Sequence, residues 1–147
     1  EPHRLRGVCY YAVFSSTLKP DRTTLTDHAT GNELFQKGVE QFNRGHFFEA
    51  HETWEEIWLA AAEPERTFLQ GIIQVAATFH HFTRGNRAGA QSLLVAGLKK
   101  LDPFLPTHRG IQLEELCASA RTWVADLAAG RARDQDQCQQ IRPARAK

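Results

Sequence analysis

An imidazole at His51 and a carboxylate at Glu55 stand one helical turn apart, in the stretch His51-Glu52-Thr53-Trp54-Glu55-Glu56-Ile57-Trp58. Residues at i and i+4 share one side of a helix. There they can form an acid/base couple, supply two ligands to a metal, or satisfy each other's polar atoms. Further along, Gln70, Gln74, Ala77 and His81 recur as a narrow polar stripe on a segment that is otherwise apolar, with His80 on the flank beside Leu69 and Ile73. Antiparallel pairing of the two segments through their short connection puts Trp58 near Gln70 and His51 nearer Gln74 to His81. His51, Glu55, Gln74 and either His81 or His80 can then meet.

That cluster admits three uses. The side chains can simply satisfy one another at a helix crossing, since a buried polar group without a partner costs roughly 1–3 kcal/mol. They can hold a divalent metal through His51, Glu55, His80 and His81, as imidazole and carboxylate on facing bundle helices do for zinc, iron or manganese. They can also anchor a small molecule or peptide in a pocket walled by Trp54 and Trp58. The spacing is neither the H-E-x-x-H of zincins, because its last member is Glu, nor the Glu-x-x-His of di-iron bundles. No nucleophile is implied, the hydroxyls of Thr53 and Thr78 having no special context. Gly85-Asn86-Arg87-Ala88-Gly89 lacks the Lys-Ser/Thr of a phosphate loop.

Five helices have to position these residues. Thr30-Gly31-Asn32-Glu33 has capping-box spacing. Leu34, Phe35, Gly38, Val39 and Phe42 follow at helical intervals, and Asn43-Arg44-Gly45 ends the run. The second helix is expected over about 47–62, burying Phe47, Ala50, Trp54, Ile57, Trp58 and Ala61, with His51 at the edge of that face and Glu49, Glu52 and Glu56 toward water. Pro64 suits the first turn of the third helix, which is apolar over more than half its circumference and therefore central. The fourth helix is expected to be capped by Asn86 and to end at Asp102-Pro103; the fifth carries Leu113 to Leu127, with Gly130 beyond it. Phe42-Asn43-Arg44-Gly45 with Ala50 recurs as Phe82-Thr83-Arg84-Gly85 with Ala90, 40 residues on. The first copy has a tetratricopeptide-like arrangement of small and aromatic residues, although the period exceeds that motif's ~34.

At 147 residues the chain suits one domain, and 41% hydrophobic with 24% charged residues is globular composition. A net charge of +1 gives no field toward nucleic acid or a membrane surface. Three cysteines without C-x-x-C spacing point to a cytoplasmic address. The apolar run Val8–Phe14 is far short of the ~20 residues a membrane span needs. Left exposed it would be costly, so the arm Tyr10–Phe14 leads to the expectation of a homo-oligomer.

Phe35 through Leu101 resembles the domain-of-unknown-function family 309. The resemblance lies in Gly38, in Phe42-Asn43-x-Gly45-x-Phe47-x-x-Ala50-His51-Glu52-x-Trp54-Glu55-x-x-Trp58, in Phe68-x-Gln70-Gly71-x-Ile73-Gln74-x-Ala76-Ala77, in His80 or His81, and in Gly85-Asn86-x-x-Gly89-Ala90. It implies an all-helical fold of prokaryotic and plastid-type proteins with no assigned activity, and it emphasises His51, Glu52, Glu55, Trp58, Gln70 and Gln74. The combined expectation is an all-α array over 29–130: two antiparallel helical hairpins plus a closing C-terminal helix, after an N-terminal appendage (1–28) and before a flexible Arg/Gln tail (131–147). The expected role is a non-catalytic binding or assembly module for a protein or small-molecule ligand, with its polar site between the second and third helices. The alternative is a metal-dependent hydrolase-like enzyme using His51, Glu55 and His80 or His81.

Overall fold

Helix ends set the architecture. In the computed structural model, which describes residues 28–131 and 140–144, five α-helices follow one another: α1 (His28–Asn43), α2 (Phe47–Ala60), α3 (Glu65–Thr83), α4 (Arg87–Leu101) and α5 (Leu113–Ala128). The arm at residues 10–14 and most of the Arg/Gln tail lie outside the described residues. The protein is all-α, and a short 3-10 turn, Asp102–Phe104, follows α4. No described helix is long and apolar enough to cross a membrane.

The repeated Phe-x-Arg-Gly is one turn built twice. After α1 the His46 amide donates to Gln41 O (2.9 Å) and the Gly45 amide to Phe42 O (3.0 Å); after α3 Asn86 donates to His81 O (2.9 Å) and Gly85 to Phe82 O (3.0 Å). This paired 6→1 and 5→2 closure requires a left-handed residue, which Gly45 (φ +84°) and Gly85 (φ +83°) supply. The fifth helix closes in the same way, from Arg131 to Asp126 O and from Gly130 to Leu127 O. Asn86 caps α4 as expected, its side chain accepting from the Gly89 amide at 3.0 Å. Two boundaries differ from expectation. The first helix is described from His28, so Thr30 lies within its first turn, and α2 stops at Ala60, where the Ala61 backbone turns extended (ψ 149°) ahead of Pro64.

Helix α3 is the axis on which the rest pack. Phe68, Leu69, Ile72, Val75, Ala76 and Phe79 on it are fully buried. Phe79 meets Phe42 of α1 at 5.9 Å, Phe47 of α2 at 5.5 Å and Trp123 of α5 at 5.0 Å between ring centroids. Such aromatic contacts contribute about 0.5–1.5 kcal/mol each beyond the area they bury. The fourth helix comes close through small residues, a Cβ on Gly97 lying only 3.0 Å from Gly71 O. Within the segment read as a flexible tail, residues 140–144 pack against the helices: Ile141 is 2% exposed, and its backbone exchanges two hydrogen bonds with the Asn43 side chain, at 2.9 and 2.7 Å.

A long-range clasp fixes the loop between α4 and α5. Glu65, at the start of α3, holds His108 Nε2 at 2.8 Å and Arg109 Nη1 at 3.1 Å, and Arg109 also donates to Asn32 Oδ1 at 3.1 Å. Its guanidinium lies 4.9 Å from the Phe35 ring centre, with the Arg109 backbone in the left-handed region (φ +49°). A non-glycine residue there is held by what its side chain grips. Cys117 is a core residue whose thiol burial pushes up to about 11, which removes it as a nucleophile at neutral pH.

Gly38 has no room for a side chain, because the Trp54 indole lies where a Cβ would be. Gly38→Ala should therefore destabilise the fold by about 1–3 kcal/mol in urea denaturation despite the better helix propensity of Ala. An unchanged midpoint would show that the two helices do not approach this closely.

Candidate functional site

The two sides of α2 have separate partners. Toward α1, Trp54 Nε1 donates to Phe35 O (3.1 Å) and Thr53 Oγ1 to Gln41 Oε1 (2.7 Å). Trp54 is thus a fully buried core residue, not the wall of a pocket. Toward α3 the same helix turns Trp58, beneath Arg66, and Phe48, which packs on both His51 and His80. His51 Nε2 lies 3.3 Å from Glu55 Oε2, with side chains only 4% and 1% exposed. Among the acids of this helix Glu55 alone is buried; Glu49 and Glu52 are exposed and Glu56 is half-buried. Glu52, although part of the family pattern, therefore stays outside the buried seam.

On α3, Gln70, Gln74, Ala77 and His81 fall within about 60° of arc at 100° per residue. Gln74 and His81 are buried and Gln70 is half-buried. This stripe runs between α2 and α4. At one end the Arg66 guanidinium covers the Trp58 ring (3.9 Å to its centre) while Nη1 donates to Trp58 O at 3.2 Å. At the other end Phe48 of α2 packs on His80 at 5.3 Å. Beside α4, Gly97 leaves room for Gln74, whose Cβ would lie 3.3 Å from a Cβ placed there.

Two features of the seam bear on its chemistry. Asn86 Oδ1 is committed to the Gly89 amide, so its Nδ2, 3.2 Å from His81 Nδ1, is the donor of that pair. A neutral His81 imidazole then carries its proton on Nε2. Trp58 Nε1 and Gln74 Oε1, both shielded from solvent, find no hydrogen-bond partner among the described residues. One is an unmatched donor on α2 and the other an unmatched acceptor on α3.

The sequence-based metal set of His51, Glu55, His80 and His81 is divided between these environments. His51 and Glu55 form the buried pair, His80 is half-buried against Phe48, and His81 is turned onto Asn86. Among the described residues no group of three or more His, Cys, Asp or Glu side chains is arranged to hold a metal ion. Arg66 over Trp58 and Asn86 on His81 escaped sequence reasoning. Arg66 lies eight residues from Trp58 across a helix turn, where periodicity gives no signal, and Asn86 was read only as a cap.

His80 titrates below its ordinary value of 6.5, first through burial, then through His81, Arg84 and His51, with Glu49 pulling the other way. Its neutral form is favoured in the fold, so the unfolded chain binds the extra proton first as pH falls. Stability should decline as pH drops through about 6.5 and level off below the folded value, and His80→Gln should flatten that slope. Melting temperatures between pH 8 and 5 check this; equal slopes in both proteins would contradict it.

Residues 35–93 match the family described as Domain of unknown function (DUF309). The chain is also 31% identical over 87 residues to an "Uncharacterized protein" of Aquifex aeolicus (strain VF5), a stretch that takes in 58% of this chain and 26% of that relative. The chain thus matches about a quarter of that relative's length. Every seam residue from His51 to His81 lies inside the segment, residues 35–93, that is similar to this family.

Proposed function

We propose that this domain is a non-catalytic binding module whose ligand occupies the seam between α2 and α3, in contact with Trp58 and Gln74. The observation that carries this reading is the pair of buried, unmatched atoms, Trp58 Nε1 and Gln74 Oε1. Leaving each unmatched costs roughly 1–3 kcal/mol, so an apolar residue of similar size at either position would serve folding better. Groups that weaken a fold and offer hydrogen bonds are what a binding site retains. His51 and Glu55 on α2 and His81 on α3 are further buried polar side chains of the same two helices. The set calls for a small neutral ligand that accepts from an indole N–H and donates to an amide oxygen, which a carboxamide does with one group. The two helical hairpins, closed by the same turn, support the reading by holding α2 and α4 on either side of the polar stripe.

Gln74→Leu tests this with two readouts of opposite sign. Without ligand the variant should be at least as stable as the parent, gaining up to about 1–3 kcal/mol by removal of the unmatched acceptor. With ligand it should lose what the parent gains, a stabilisation of ~2.7 kcal/mol at a concentration 100 times the Kd. Thermal shifts with a series of small carboxamides, from acetamide to nicotinamide, provide the probe. No shift in the parent with any of them, together with a crystal structure in which ordered water satisfies both atoms, would contradict the proposal.

A further inference from the structure

Opposite in character to the buried seam is the outward face of α4. Val95 is 42% exposed and Phe48 of α2 is 37% exposed, the two large hydrophobic side chains exposed among the described residues. Hollows of about 480 and 470 Å³ flank Val95 on its two sides. One lies against α5, floored by Leu98 and Val124 and edged by Arg121; the other runs toward Thr67 and Pro103. Lys99 borders both hollows and Lys100 the second, while Asp102 is the one carboxylate lining them. An apolar ridge between two hollows under a basic edge suits a helix that brings a large apolar side chain and carboxylates.

This chain carries such a helix. On the outer side of α2, Phe48 is held against the rings of His51 (5.4 Å) and His80 (5.3 Å) and still reaches solvent. Glu49 and Glu52 beside it are exposed, and no Lys or Arg occurs from Glu49 to Glu63. The acidic face and the basic face sit on one nearly neutral chain of net charge +1, so two copies approach without net repulsion that would offset the complementary contact.

We propose that two copies of this chain associate by docking the acidic outer face of α2, led by Phe48, onto the basic-edged ridge around Val95 of the other copy. The contact pairs two different patches, so each copy presents both halves. It does not depend on a ligand in the seam, and the two proposals fail separately.

Charge reversal with rescue tests it on the full chain. In sedimentation equilibrium over a wide concentration range, the parent should associate at low salt and dissociate as salt rises. Lys99→Glu with Arg121→Glu should be monomeric, as should Glu49→Lys with Glu52→Lys, circular dichroism showing each to be folded. Mixing the two reversed variants should restore a hetero-association that neither makes alone. Val95→Asp, at an exposed position, should abolish association with both charged faces otherwise intact. A parent that stays monomeric at low salt would overturn the proposal. So would association that survives both reversals, as a contact through residues 10–14 would.

Discussion

A helix enclosed on most of its circumference has to account for every polar atom it carries. Helix α3 is in that position, with α1, α2 and α5 all meeting its Phe79, and α2 and α4 also packing on it at Arg66 and Gly71. Water cannot reach the stripe of Gln70, Gln74, Ala77 and His81 freely, and the partners have to come from the flanking helices. Asn86 meets one of those demands at His81, and nothing among the described residues meets the one at Gln74 Oε1. The rest of the structure can be read as the scaffold that keeps this stripe closed, from the paired turns at Gly45 and Gly85 to the aromatic contacts around Phe79.

The acidic run on α2 acquires a division of labour from this geometry. Glu55 is drawn into the seam beside His51, whereas Glu49 and Glu52 stay at the surface, a difference of less than half a turn of helix. The tryptophans divide in the same way. Trp54 lies over Gly38 and gives its indole proton to Phe35 O, while Trp58, one turn later, is covered by Arg66 and keeps its indole proton unmatched. Two residues of one type, 40° apart on the helical wheel, become a piece of the core and a piece of a candidate site.

Much of this was legible in the sequence because it is local. The Phe-x-Arg-Gly repeat announced its turns, the apolar circumference of the third helix announced the axis, and the i, i+4 spacing put His51 beside Glu55. What escaped depends on contacts between distant segments. Nothing in Arg109 hints at a left-handed backbone, because its conformation is set by Glu65 and Asn32, more than 40 residues away. The packing of Ile141 on Asn43 was hidden for the same reason, inside a segment whose Gln and Arg content reads as solvated. Helix wheels drew Gln70, Gln74, Ala77 and His81 into one stripe of α3, but they could not tell a satisfied amide from an unmatched one, since that depends on what the neighbouring helices present.

The central claim, that the seam holds polar atoms in reserve for a ligand, is tested most directly by the indole nitrogen-15 resonances of the three tryptophans. The Trp54 indole, bonded to Phe35 O, is an internal reference for a hydrogen-bonded N–H. The account predicts a Trp58 indole proton upfield of it, as for an N–H without an acceptor, moving downfield when a carboxamide ligand is added. A Trp58 resonance already at a hydrogen-bonded position and indifferent to every ligand tried would contradict it.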